Sequence, residues 1–466
     1  MSLRSTSIAR LVRLTTASLV LLASGALSGA RVAGAQAPAT TTAAARDFVR
    51  VRDGRLVIGD RPYRFIGVNL WFGMNLGADG ATAGADRARL VRELDRLQRL
   101  GVKNVRLMAS SEGPATEPAR VVPAVQNTPG RYDEHLLRGL DFLLAELGKR
   151  DMRGVLILNN FFMWSGGMAQ YVSWATGEPI PYPEHDGHSW DDFQNYSARF
   201  YAIDSAQTLY ERYVAAVVGR KNTITGVAYR DDPTIMAWQL SNEPRGFSHS
   251  DDYVKWVDRV GAFVKKHAPN QLVSLGGEGK LDRGTPGTAT QFERVSRSPF
   301  LDYLTIHVWI ENWGWFDPTK SDSTFNRSLG RTMSYLADHV AIARAVNKPI
   351  VVEEFGVSRD GRDYAPAAPT TVRDRYLETV LESIYYLSTE DHPVVAGGNV
   401  WSWSGEGRPV RPGDYWRRGE PFTGDPPHER QGWYSIYDSD SSTVAILGAY
   451  ARRMDATTTT GNLDGE

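Results

Sequence analysis

Apolar residues along this chain fall into short runs of strand length, and each run is followed by a longer stretch in which apolar positions recur every three or four residues. Phe65 to Val68 precedes Asp86 to Leu100, Asn104 to Met108 precedes Tyr132 to Lys149, and Gly154 to Leu158 precedes Ala206 to Arg220. The alternation continues with Ile235 to Leu240 before Asp252 to His267, Leu272 to Leu275 before a weaker segment near Phe292, and Leu304 to His307 before Arg331 to Val346. Ile350 to Glu353 before Thr371 to Leu387 and Gly398 to Trp401 before Ser442 to Met454 complete the series. Continuous apolar runs suit strands buried on both faces, the longer pattern suits amphipathic helices, and their strict alternation builds a parallel sheet. Eight such units predict an α/β protein, a single (β/α)8 barrel with long insertions in its βα loops and a weak fifth helix.

The flanking segments read differently. Phe48-Val49-Arg50-Val51 and Arg55-Leu56-Val57-Ile58 alternate around Asp53-Gly54, which predicts an N-terminal β-hairpin plugging one end of the barrel. Residues 1–37 carry Arg4, Arg10 and Arg13, an uncharged apolar stretch from Leu14 to Leu27, and Ala35-Gln36-Ala37. That order is a secretory signal cleaved after Ala37, its apolar part too short and interrupted for a membrane span. Residues 38–45 are Ala, Thr and Pro, a flexible spacer, and 456–466 read as a frayed tail, leaving 46–455 for the catalytic barrel. The mature protein is therefore expected to be secreted or periplasmic, with no membrane attachment once the signal is removed.

Two of the strands end in acid. Trp238-Gln239-Leu240-Ser241-Asn242-Glu243-Pro244-Arg245 turns from an apolar run into an amide, a carboxylate and a proline that cannot continue a ladder. Pro349-Ile350-Val351-Val352-Glu353-Glu354-Phe355-Gly356 repeats the design. Active-site residues of such barrels sit at the C-terminal ends of the strands, so these glutamates form a candidate catalytic pair. Two carboxyl groups across a barrel mouth can hydrolyse a glycosidic bond, one attacking the anomeric carbon and the other protonating the leaving oxygen.

Composition narrows the partner. With 53 basic against 54 acidic residues in 466, the formal charge is -1, and no global field recruits nucleic acid or an anionic surface. Cysteine is absent, which excludes thiolate chemistry and disulfides. Thirteen Trp and twenty Tyr offer flat faces that suit sugar rings, and Trp71, Trp164, Trp174, Trp313 and Trp315 fall in loops after candidate strands. Gly276-Gly277-Glu278-Gly279-Lys280 is no phosphate loop, because Leu281 stands where Ser or Thr is required. His185 and His188 near Glu184 and Asp186 lack any zinc-binding helix pattern, so neither metal nor cofactor is expected.

Asn242-Glu243-Pro244 together with Glu354-Phe355-Gly356 resembles the acid/base and nucleophile strands of glycoside hydrolase family 5, a clan A family of retaining (β/α)8 enzymes. Asn159-Asn160, Gly166-Gly167 and Gln170-Tyr171-Val172-Ser173-Trp174 are similar to the third loop of its endo-β-1,4-mannanases, subfamily 7, and the likeness runs from about Phe65 to Trp403. The resemblance implies Glu243 as acid/base and Glu354 as nucleophile, with Glu353 a neighbour in a structural ion pair. Strand alternation agrees, since consecutive residues face opposite ways and one alone points into a pocket. It further implies Asn242 on the sugar 2-hydroxyl, Arg106 beside the nucleophile, His307 on the sixth strand, and Trp401 beneath the sugar, with Trp403 on the same face. Asn160, Trp164, Trp71 and Trp309 complete the expected substrate contacts. Where the family has His-x-Tyr this chain has His307-Val308-Trp309, and an indole can donate a hydrogen bond but not accept one.

The expected function is that of a secreted retaining endo-β-1,4-mannanase acting as a monomer on β-mannan polysaccharides such as galactomannan and glucomannan. Another retaining β-1,4-glycanase, an exo-β-mannosidase whose loops close one end of the cleft, and a polysaccharide-binding barrel without catalysis remain the alternatives.

Overall fold

The computed structural model describes residues 47–183, 186–281 and 289–460. The signal and spacer, residues 1–45, lie outside the described residues, as do Glu184, His185 and residues 461–466 of the expected tail.

Among the described residues, eight parallel strands run Phe65–Asn69, Asn104–Met108, Arg153–Ile157, Ile235–Gln239, Leu272–Ser274, Leu304–Val308, Ile350–Phe355 and Val395–Val400. Every position in them is buried, as a sheet covered on both faces requires. Each strand but the fifth pairs with the one that follows it, and the eighth pairs with the first, in the spatial order fifth-fourth-third-second-first-eighth-seventh-sixth. Across the remaining seam the fifth and sixth strands are joined at their margins, by Asp302 N to Val273 O at 2.9 Å and Thr305 Oγ1 to Gly277 O at 3.0 Å. The result is the expected (β/α)8 barrel.

Helices follow the strands, with differences that the burial pattern explains. The sixth begins at Ser321 rather than Arg331, because Phe325 and Ser328 extend its buried face. The fifth is a short helix, Gln291–Ser296, started by reciprocal hydrogen bonds between Thr290 and Glu293. The last runs Ser441–Thr460, so part of the stretch expected to fray is helical. The loop after the third strand holds two helices that the sequence pattern did not reveal, Gly167–Thr176 and Trp190–Ala198. No helix among the described residues is long and apolar enough to cross a membrane.

The hairpin forms as expected. Val49–Arg52 pairs with Arg55–Ile58 around Asp53 and Gly54, both at positive φ, the backbone twist a tight hairpin turn demands. Val49, Leu56 and Tyr63 then pack with Phe65, Met236 and Leu272 of three strands, closing the end of the barrel away from the glutamates. Leu56→Ala should therefore lower stability by about 2–5 kcal/mol, read as a lower thermal midpoint, while leaving turnover at 25 °C intact. An unchanged midpoint would show that the hairpin does not stabilise the barrel.

Candidate active site

The backbone beyond the fourth strand is held on both sides. Leu240 N and Ser241 N donate to Ser274 O and Leu275 O at 2.9 and 3.1 Å, Asn242 N to Asn159 O at 2.9 Å, and Glu243 N to Gly276 O at 2.8 Å. Glu243 is thereby fixed at φ +47, a left-handed conformation that a side-chain-bearing residue adopts only when its surroundings impose it. Gly276 makes this approach possible. It sits at φ +82, and a Cβ there would collide with the Ser241 carbonyl oxygen. Gly276, from the stretch that fails as a phosphate loop, thus buttresses Glu243.

Glu354 arrives by a different device. The pairing of sixth and seventh strands steps from Ile306–Val352 to His307–Glu354, leaving Glu353 in a bulge. As expected, Glu354 lines the cavity and Glu353 does not, although both glutamates reach the same guanidinium. Arg106 Nη1 contacts Glu354 Oε1, and Arg106 Nε lies 3.4 Å from Glu353 Oε2. Glu353 also accepts from Gln239 Nε2 at 2.7 Å, so it belongs to the buried ion-pair network behind the site.

One oxygen from each of Glu243 and Glu354, with a ring nitrogen of His307, all lie within 4.8 Å of one another. His307 Nδ1 is 2.6 Å from Glu243 Oε1 and 3.2 Å from Glu354 Oε2. Trp309 Nε1 donates to Glu243 Oε1 at 3.1 Å. The indole that replaces the expected Tyr therefore serves the partner glutamate and not Glu354. Burial pushes both carboxyl groups above the usual carboxylate range, against the lowering pull of Arg245 and, more weakly, Arg106 on Glu243 and of Arg106 on Glu354. Burial, reinforced by Arg106, holds the His307 imidazole well below its ordinary value and hence neutral. Among the described residues these three also form the one His-carboxylate cluster compact enough for a metal ion, with the Arg106 cation already against it.

The pair opens into a cavity of about 770 Å3, on whose wall stand Glu243, Glu354, Asn242, Trp309, Trp401 and Trp164. Trp313 joins them, whereas Trp315 packs on Trp313 and Tyr335, and Trp174 on Tyr171.

Four expected contact residues, Arg106, His307, Asn160 and Trp71, are not on that wall. Arg106 is 1% exposed and spends its donors on Gln239, Asn69, Glu354 and Asn242, so it positions the wall from behind. His307 is fully buried between the glutamates. Asn160 bonds Ser165 Oγ, Phe162 N and the Asn242 amide at 3.2 Å, orienting Asn242 instead of touching a ligand. Trp71 donates to Gly424 O at 3.0 Å and packs edge-on against Trp164 and Phe422, which makes it core. Trp403 is likewise core. It opens a separate short strand, and its indole donates to Glu93 at 3.0 Å.

The sequence reading missed the loop after the eighth strand, which supplies His428, Glu429, Arg430 and Trp433 to the wall. Its signal was faint, a His-Glu-Arg triplet after Pro426-Pro427. The His428 ring lies parallel to Trp164, 7° apart with centroids at 6.4 Å, and burial lowers its pKa to about 3. Burial likewise pushes the Glu429 carboxyl far up, and its Oε2 and His428 Nδ1 have no partner among the described residues.

Comparison with known proteins agrees with this geometry. A family model described as GH family 5 beta-mannosidase-like matches residues 46–459. The glycoside hydrolase family 5 mannosidase from Rhizomucor miehei is 37% identical, with a TM-score of 0.82 over 90% of this chain and 100% of that one. A glutamate-to-alanine variant of it, in complex with mannosyl-fructose, is 36% identical with a TM-score of 0.81, over 89% of this chain and 99% of that one. Mannan endo-1,4-beta-mannosidase 1 of Oryza sativa subsp. japonica is 30% identical across 87% of this chain and 86% of its own length. The chain therefore belongs to the β-mannosidase-like proteins of glycoside hydrolase family 5 and is a glycoside hydrolase on a (β/α)8 barrel.

Proposed function

We propose that the protein hydrolyses β-1,4-mannosidic bonds with retention of configuration. The observation that carries this reading is the approach of a Glu243 oxygen and a Glu354 oxygen to within 4.8 Å across the cavity. A separation of about 5 Å suits direct attack by one carboxylate, whereas an inverting enzyme needs roughly 6.5–9.5 Å to admit water between them. Glu354, against the Arg106 guanidinium, keeps its charge and attacks C1. Glu243, whose contacts are a neutral imidazole and an indole, carries the proton. Trp309 N–H and the His307 ring both engage Oε1, which leaves Oε2 as the oxygen to present the proton to the leaving group. Glu243 then deprotonates the water that frees the product. Asn242, held by Arg106 and Asn160, meets the sugar 2-hydroxyl, and Trp401 carries the ring face. Mannose as the sugar is supported by the names of the relatives and by the mannosyl-fructose bound to the Rhizomucor miehei variant.

Internal cleavage of mannan is supported by the rice relative named an endo-1,4-beta-mannosidase. A second reading, cleavage from a chain end, is favoured by the loop after the eighth strand. There Glu429 Oε2 and His428 Nδ1 offer unpartnered buried polar atoms to a terminal hydroxyl. Export is supported by the Arg-led apolar segment ending at Ala35-Gln36-Ala37.

Glu354→Ala should abolish turnover while preserving the fold, and added azide should return an α-mannosyl azide. Glu243→Ala should lose roughly 10²–10⁴-fold on mannobiose yet keep β-mannosyl fluoride as a substrate, since fluoride departs without a proton. The wild-type kcat/KM should fall as pH rises through the raised pKa of the Glu243 acid, and this alkaline limb should vanish for the fluoride. Undiminished activity in Glu354→Ala would move the nucleophile to Glu353. From mannohexaose, early products spanning mannobiose to mannotetraose are expected, whereas mannose with mannopentaose would assign attack at the chain end. N-terminal sequencing of the exported protein should begin at Pro38, and a start elsewhere would correct the cleavage site.

A further inference from the structure

A second cavity of about 350 Å3 lies beside the first, and the two share Gln194, Arg245 and Glu278. The shared residues form a partition. Arg245 Nε and Nη2 donate to the two Glu278 oxygens at 2.6 and 2.9 Å, and Nη1 donates to Gln194 Oε1 at 2.7 Å. Glu278 is fixed in turn, because its carbonyl accepts from His307 N at 2.9 Å and from the Tyr335 hydroxyl. Two parallel bonds between guanidinium and carboxylate make a rigid wall.

Beyond that wall the lining changes character. Phe247, Leu275, Leu281 and Phe292 face the chamber, with Pro244 and Tyr253, while its other polar liners are Gln291, bonded to Gly246 N and Phe247 O, and the exposed Asp191. The donors nearest the first cavity are already committed to one another, so the chamber has little to offer the hydroxyl groups of a second sugar. Desolvating those hydroxyls without new partners would oppose binding, whereas apolar surface gains. Its position relative to the chemistry is also informative. Arg245 and Glu278 share the wall of the first cavity with Glu243, and Arg245 acts on the Glu243 charge, so the partition adjoins the proposed acid, which meets the departing oxygen.

We infer that the second cavity is an aglycone site that takes the alkyl or aryl part of a β-mannoside's leaving group, laid across the Arg245–Glu278 pair. This inference rests on the proposed hydrolysis of β-mannosides and adds to it a class of substrate, apolar mannosides. Two positions allow the chamber to be altered without touching the glutamates. Gly277 lines it at an ordinary negative-φ backbone, and a Cβ there meets nothing nearer than Leu275 at 3.6 Å. Leu281 stands at its margin, 42% exposed, where a charge is compatible with folding.

The test compares kcat/KM for methyl, hexyl and octyl β-mannosides, with β-mannosyl fluoride as the substrate that has no aglycone. In the full-length wild type the value should rise about tenfold from methyl to octyl as methylenes are buried. Gly277→Leu, by filling the chamber, and Leu281→Asp, by charging its margin, should flatten that rise while the fluoride is turned over as before. No rise with chain length, or a rise that both variants leave intact, would overturn the aglycone site. Failure of the wild type to turn over the fluoride would instead overturn the β-mannoside reading beneath it.

Discussion

A single buried cation organises the candidate site. Arg106, from the second strand, is tied to the fourth through Gln239 and Asn242, to the first through Asn69, and to the seventh through Glu353 and Glu354. Carboxylates taken out of water are costly unless paired, and removing one partner of a buried pair costs about 3–5 kcal/mol. The guanidinium is also the group that opposes the burial pushing the Glu354 carboxyl upward, since a cation beside a carboxylate favours its charged form. Its planar fork makes this possible, since a lysine could not span four strands from one position.

The rest of the site is arranged so that the two glutamates differ. Glu354 has the Arg106 guanidinium in direct contact, while the direct contacts of Glu243 are His307 and Trp309, with the Arg245 and Arg106 charges acting on it without a hydrogen bond. The proposed acid and nucleophile can coexist only if their environments separate them, and here the separation is a matter of which neighbour each strand end is given. The backbone contributes too. Glu243 is held in a left-handed conformation by Gly276, a residue without a side chain at the one place where the neighbouring loop must touch Ser241. Strain of this kind persists where the surroundings over-determine it, and it aims the carboxyl at its partner.

The loops then decide what the pair can reach. The segment after the eighth strand brings His428 and Glu429 against the sugar cavity, and the segment after the fourth, with that after the fifth, builds the Arg245–Glu278 partition. A common barrel thus carries a site whose reach is set by its insertions, as is usual for this architecture.

Periodicity alone determined the eight-unit barrel, the hairpin beneath it and the strand ends that carry Glu243 and Glu354, because burial on both faces of a parallel sheet forces continuous apolar runs. The motif around Glu243 and the Glu-Phe-Gly after Glu353 also marked the pair in the linear chain. Tertiary structure decided which residues face the sugar. Arg106 and Asn160 moved behind the wall, Trp71 and Trp403 into the core, and His428 and Glu429 onto the wall. It also decided that Glu353 and Glu354 share one guanidinium, since the bulge that carries Glu353 arises from the register between two strands. Period and spacing are local quantities and are written in the sequence, whereas the direction of a side chain and the partner that consumes its hydrogen bonds depend on residues hundreds of positions away.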